Sequence, residues 1–131
     1  ITGLTRDSDW RDLVRATIES VAYQTSDLFL SMRKDGLNPK SVKVDGGMVS
    51  NNWFVQFLSE ILKIKITRSK INETTALGAA YMAGYQTGIY RSLSDIKQNW
   101  KKDRDFKPKF NKSYRNKLLQ GWQQAIKKTL A

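Results

Sequence analysis

Cysteine and histidine are both missing from this 131-residue chain. Without cysteine there is no disulfide framework and no thiolate metal site, which fits a reducing compartment and makes the cytoplasm the expected location. Without histidine, the chain supplies neither an imidazole base nor an imidazole metal ligand. Long apolar runs are lacking too: none approaches the roughly 18 residues that would span a bilayer, and no basic segment followed by an apolar core opens the chain. The first residue is Ile1, not methionine, so the sequence reads as part of a longer protein.

Acidic residues are few: 12 Asp and Glu against 23 Lys and Arg give a net charge of +11. A basic excess of that size attracts phosphate backbones. It is concentrated in one place, however. Residues 97 to 131 hold 11 basic and 2 acidic side chains, a net +9, and residues 1 to 96 hold 12 and 10, a net +2. This is a basic tail on a nearly neutral body. Read as a solvated surface it needs no partner; read with Trp100, Phe106 and Phe110 as stacking residues, it makes a nucleic-acid-binding module the alternative function.

In "DSDWRDLVRATIESVAYQTSDLFLSMRKDG", Trp10, Leu13, Val14, Thr17, Val21, Leu28, Phe29 and Met32 fall near helical spacing. Asp9 and Asp12 stand in the first turn, and Arg33, Lys34 and Gly36 at the end, which predicts one long helix. "LNPK" turns the chain into "SVKVDG", where Val42 and Val44 alternate with Ser41 and Lys43 as in a strand. From Asn51, the residues Phe54, Phe57, Leu58, Ile61 and Leu62 make a helix with one buried face. Ile64 and Ile66 alternate in "KIKITRS", a second strand. In "TALGAAYMAGYQTG", Ala76, Ala80 and Gly84 form a stripe of small residues on a third helix that can approach a neighbour closely. After Gly88 come a turn with a short helix, an extended basic arm, and a last helix marked by Leu118, Leu119, Trp122, Ile126 and Leu130.

This order fits an α/β layer with crossover helices. Residues 41 to 46 and about 64 to 68 are expected to be neighbouring strands, with the helices that start near Trp10, Asn51 and Thr75 packed against their sheet. Two strands make a poor sheet, because a parallel sheet buries both faces, so further strands are expected upstream of Ile1.

The stretch "VDGGMVSNN" is the candidate site. Gly46 and Gly47 lie at the carboxyl end of a strand, where open α/β sheets bind ligands. Glycine lets a ligand approach the backbone, and a helix N-terminus just beyond offers free N–H groups and positive potential. Asn51 can contact a base, ribose or phosphate, or it can simply cap the helix. The spacing is neither a Walker A loop nor a dinucleotide G-x-G-x-x-G fingerprint.

Three blocks in order, "GLTRDSDWRDLVRATIESVAYQ", "VDGGMVSNNWFVQFLSEIL" and "ETTALGAAYMAGYQTGIY", resemble the carboxy-terminal region of the FGGY carbohydrate kinases. Gly3, Leu4, Asp12, Leu13, Ala16 and Glu19 carry the first block, and the likeness runs closely from Gly3 to about Tyr90. The blocks are most similar to members that act on glycerol, with another polyol or a sugar such as xylulose as the alternative substrate. The resemblance implies an actin-like, ribonuclease H-like ATPase fold, with residues 1–92 as the distal part of the second domain and 93–131 as its basic arm and terminal helix. It implies transfer of phosphate from ATP, leaving ADP, with Mg²⁺. The catalytic base, the glycerol contacts and the metal ligands would belong to the amino-terminal remainder of the protein, and the assembly would be a homo-oligomer. The "DGG" turn corresponds to the family's adenosine motif, so Gly47 would touch the nucleotide through its backbone, Asn51 through its side chain, and Gly46 would form the turn. Glu19 and the "GAAYMAG" stripe read as structural.

Overall fold

The computed structural model describes residues 1–71 and 73–130. Helix α1 (Trp10–Lys34) starts on a reciprocal cap: the Asp9 carboxylate accepts from the amides of Arg11 and Asp12, and the Asp12 carboxylate accepts from that of Asp9. Three otherwise orphaned donors are satisfied in this way. At the other end Gly36 turns to φ 85°, the Gly36 amide donates to the Arg33 carbonyl and the Leu37 amide to that of Met32. Glycine takes this left-handed position without strain, and the paired bonds close the last turn.

Strand β1 (Ser41–Val44) and strand β2 (Lys65–Ser69) are parallel, with Ser41 opposite Lys65 and Val44 opposite Arg68. Helix α2 (Asn52–Leu62) makes the crossover between them. It is the centre of the molecule: Phe54, Val55, Phe57, Leu58, Ile61 and Leu62 are all buried, together with Ala22, Tyr23 and Phe29 of α1, Val49, Ile64, Ile66 and Phe106. Even its polar residues are used. Ser59 is fully buried and its hydroxyl lies 2.8 Å from the carbonyl oxygen of Ile64.

Helix α3 (Thr74–Gln86), the short α4 (Leu93–Gln98), strand β3 (Lys102–Phe106) and helix α5 (Lys112–Leu130) complete the chain. The sheet order is β1-β2-β3, with β3 antiparallel to β2. The basic arm therefore contributes a third strand, so the described sheet is one strand wider than the sequence predicts. Phe106 lies in the core, and Trp100 packs its ring under the Lys43 ammonium, 3.8 Å from the ring centroid. Phe110 packs edge-on to Phe57 and Tyr114. Of the three aromatics of the arm, Phe106 is thus buried and withdrawn from any stacking role, while Trp100 is half-buried and Phe110 stays exposed.

Two further expectations are corrected. Helix α1 lies on α2 and not on the sheet, and α3 packs extensively on neither among the described residues. Among the described residues the small-residue stripe makes a close approach at Gly84, where a Cβ would come 2.8 Å from the Tyr90 ring, whereas Ala76 and Ala80 are exposed. In α1 the buried face is Ala22, Tyr23, Ser26 and Phe29, while Trp10, Leu13, Val14 and Leu28 are exposed. Helix α5 is held to α1 by Trp122, whose indole N–H donates to Asp27 at 2.7 Å and whose ring stacks on Tyr23. It is held to α2 by Arg115, whose Nε donates to the Ile61 carbonyl at 2.7 Å, one of the carbonyls a helix end leaves without a partner.

Candidate functional site

Because β1 and β2 are parallel, both end at the same edge of the sheet, and the chain leaves β1 there through Asp45, Gly46 and Gly47. Gly46 has φ 93° and ψ 171°, a conformation that residues with a Cβ rarely adopt. Gly47 then opens a single 3-10 turn, Gly47–Ser50, anchored by the buried side chain of Val49. The positive φ belongs to Gly46 alone; Gly47 does not have one. A Cβ on either glycine would meet nothing within 4 Å. Backbone angle explains Gly46, whereas neither angle nor a neighbour among the described residues explains Gly47.

Asn51 is the N-cap of α2. Its side-chain oxygen accepts from the amides of Trp53 and Phe54 at 3.0 and 3.2 Å. The expectation of free N–H groups at the start of this helix is corrected accordingly, since Asn51 takes two of them. Its side-chain amide nitrogen has no hydrogen-bond partner among the described residues, and the residue is exposed. The cap reading and the ligand reading are compatible, because the cap uses the oxygen and leaves the donor. Asn51 also borders a cleft of about 390 Å³ with Trp10, Arg15 and Trp53. A larger apolar groove, about 680 Å³, lies between α1 and α5 and shares no residue with the turn.

Another helix starts at this end of the sheet, α3: among the described residues no side chain caps it, and the Thr74 hydroxyl donates to the Asp45 carboxylate just past β1. That bond holds the start of α3 beside the Gly46 turn, where its first amides and its dipole favour a negative group.

Arg68 and Asp103 were not singled out from sequence. Arg68 Nη1 donates to the carbonyls of Val49 and Ser50 at 2.7 and 3.3 Å, and its Nε and Nη2 both lie 2.7 Å from Asp103 Oδ2. In the sequence Arg68 is merely one polar residue near the end of a short strand, and its partner stands 35 positions away. Glu19 bridges within α1, between Arg15 Nε at 2.6 Å and the Tyr23 hydroxyl at 3.1 Å. Burial first, and Glu19 second, push the Tyr23 phenol well above its ordinary pKa.

Residues 1–87 match the model of the FGGY family of carbohydrate kinases, C-terminal domain. Glycerol kinases from Rhodospirillum centenum and Marinomonas sp. are 47% and 51% identical over 98% and 95% of the chain. The glycerol kinase of Bacillus subtilis is 43% identical over 100% of the chain, which covers 27% of that enzyme. The structure superimposes on that of Plasmodium falciparum glycerol kinase with ADP, with a TM-score of 0.83 and 35% identity over 99% of the chain. A xylulose kinase from Lactobacillus acidophilus, 23% identical with a TM-score of 0.78, shares the fold. The chain spans about a quarter of the length of these proteins: 26% of the Rhodospirillum enzyme and 26% of the Plasmodium one.

Proposed function

The chain belongs to the FGGY family of carbohydrate kinases, and from that premise we propose that it is the distal part of the nucleotide-binding domain of an ATP-dependent glycerol kinase, which converts glycerol and ATP to glycerol 3-phosphate and ADP. The relatives described above, 43 to 51% identical over nearly the whole chain, support glycerol as the acceptor. The single observation that carries the nucleotide site is Gly47, a glycine with an ordinary backbone angle and open space where a Cβ would stand. Its physical use is to let a ligand lie against the backbone at the carboxyl edge of the sheet. Asn51 adds a fixed amide donor, and the start of α3, which no described side chain caps, favours the phosphates.

In this reading the chain binds and orients the donor, which is the larger share of the protein's work in phosphoryl transfer. The Mg²⁺ ligands, the base and the glycerol contacts come from the amino-terminal remainder; the described residues hold no group of three or more acidic side chains that could seat a metal. Residues 93–131 act as a structural clasp on the same domain, supplying β3 and α5. Among the described residues no helix is long and apolar enough to cross a membrane, and we place the enzyme in the cytoplasm with its ATP. The test is to supply the complete protein with MgATP and glycerol and follow glycerol 3-phosphate. Turnover with glycerol that exceeds turnover with xylulose supports the proposal; the reverse preference would replace glycerol by a sugar.

A further inference from the structure

The carbonyls of Val49 and Ser50 precede the first residue of α2 and lie outside its hydrogen-bond ladder. They would be loose ends of the 3-10 turn but for Arg68, whose Nη1 reaches both. The rest of the guanidinium is committed as well. Nε and Nη2 hold Asp103 of β3, the guanidinium carbon lies 5.4 Å from the centre of the buried Phe106 ring, and only 13% of the side chain is exposed. A planar fork with several fixed donors can make these bonds at once, and a lysine cannot.

The placement of Asp103 depends on an irregularity in the sheet. Arg68 pairs with Arg104 and Ser69 with Lys102, so Asp103 has no partner on β2. One extra residue in one strand is a bulge, and bulges re-aim side chains. This one brings Asp103 to the face of Arg68, where it also offsets the repulsion between two arginines placed directly opposite each other.

We propose that Arg68, held by Asp103, is a positioning residue for the nucleotide: it locks the Gly47–Ser50 turn to the sheet and so fixes where the Gly47 backbone and the Asn51 side chain meet the ligand. The proposal rests on the nucleotide-site reading above. Arg68 need not touch the ligand. Its effect passes through a turn that begins at Gly47 and ends one residue before Asn51. Loosening that turn spreads the two contacts over several positions, which weakens donor binding and leaves the acceptor site untouched.

The test uses the complete kinase with Arg68→Gln, Arg68→Lys and Asp103→Asn, each assayed against ATP at saturating glycerol and against glycerol at saturating ATP. Calorimetric titration with ADP accompanies the assays. For Arg68→Gln the expected result is a rise of about tenfold in both the KM for ATP and the Kd for ADP, the scale of losing charge-assisted bonds, with kcat and the KM for glycerol within about twofold of the parent. Arg68→Lys should recover only part of the loss, and Asp103→Asn should fall between Arg68→Lys and the parent. Equal rises in both KM values, or folded variants that bind ADP like the parent, would overturn the inference. If Arg68→Gln does not fold, Asp103→Asn carries the same comparison. A parent that fails to phosphorylate glycerol sinks the functional reading, and the ADP titration still decides the role of Arg68.

Discussion

Glu60 of α2, only 2% exposed, accepts the backbone amides of Lys109 and Phe110 at 2.5 and 2.7 Å. The same carboxylate takes a bond from Gln56, whose amide also reaches the Lys107 carbonyl. A buried acid inside an apolar helix thus fastens the segment that joins β3 to α5. Replacing Glu60 by Ala leaves two amides without an acceptor and should destabilise the complete protein by about 1.5 to 3 kcal/mol, the range for bonds to a charged group. Urea unfolding would show the loss. Amide exchange should quicken first at Lys109 and Phe110, and a variant in which those two amides stay protected would contradict the clasp.

The β2–β3 pair is expected to weaken in acid. Thr67 donates to Asp105 at 2.7 Å and Lys102 lies 3.0 Å from it, and together, the threonine bond foremost, they hold this carboxyl below the usual carboxylate range. A folded pKa that is lower than the unfolded one means stability present above the ordinary value of about 4 and lost as pH falls through the lowered one. Asp105→Asn should therefore lower stability at neutral pH and shift the urea midpoint less than the parent's between about pH 5 and about pH 2, so that the two curves converge in acid. Parallel curves over that range would exclude the assignment.

How far the sequence discloses this arrangement depends on where each signal lies. Helix α2 is legible because Phe54, Phe57, Leu58, Ile61 and Leu62 repeat at helical spacing and all become buried. The limits of α1 are legible because Asp9, Asp12, Arg33 and Gly36 are local signals that act within a turn. Strand β3 is hidden: in "KDRDF" four charged residues precede the single apolar Phe106, and an antiparallel edge strand with solvated side chains looks like a charged linker. The site divides in the same way. The two glycines and Asn51 stand close in sequence, whereas Arg68, Asp103 and the Thr74–Asp45 bond are pairings across 35 and 29 positions that only the fold creates. A bulge has no sequence signature here at all. The family blocks show that the chain belongs to the FGGY family, but they do not say which arginine steadies the turn.

The two glycines should separate when mutated. Gly46→Ala forces a Cβ into a positive φ and should destabilise the fold by about 1 to 2 kcal/mol, even though nothing stands within 4 Å of it. Gly47→Ala meets neither strain nor a neighbour, so it should leave the unfolding midpoint unchanged and yet weaken ATP and ADP binding; Gly47→Val should be worse. Asn51→Ala should do both, at about 1 kcal/mol of stability for the lost cap and about 0.5 to 1.5 kcal/mol of nucleotide affinity for the lost donor, with glycerol affinity little changed. Gly47→Val and Asn51→Ala proteins that are folded and bind ADP like the parent would remove this turn from the nucleotide site.

Expressed by itself, the 131-residue segment should have no kinase activity. Phosphoryl transfer needs the γ-phosphoryl clamped by a metal and by cationic or backbone donors, an acceptor hydroxyl in line with it, and a carboxylate to take the proton. The described residues offer the glycine turn, the Asn51 amide and the start of α3, which together make one wall of the proposed donor site. Asp45, the carboxylate nearest the turn in sequence, is already bonded to Thr74, and Glu60 and Glu19 are bound within the fold. A one-walled site retains little affinity, because the ligand stays half solvated and its own ordering is not offset. Purified segment incubated with MgATP and glycerol should therefore give no glycerol 3-phosphate, and adding the amino-terminal remainder, in one chain or as a second polypeptide, should restore turnover by assembling the two sides of the site. Sustained turnover by the segment alone, after contaminating kinase has been excluded, would mean that an acceptor site and a base lie among residues assigned only to structure and nucleotide binding.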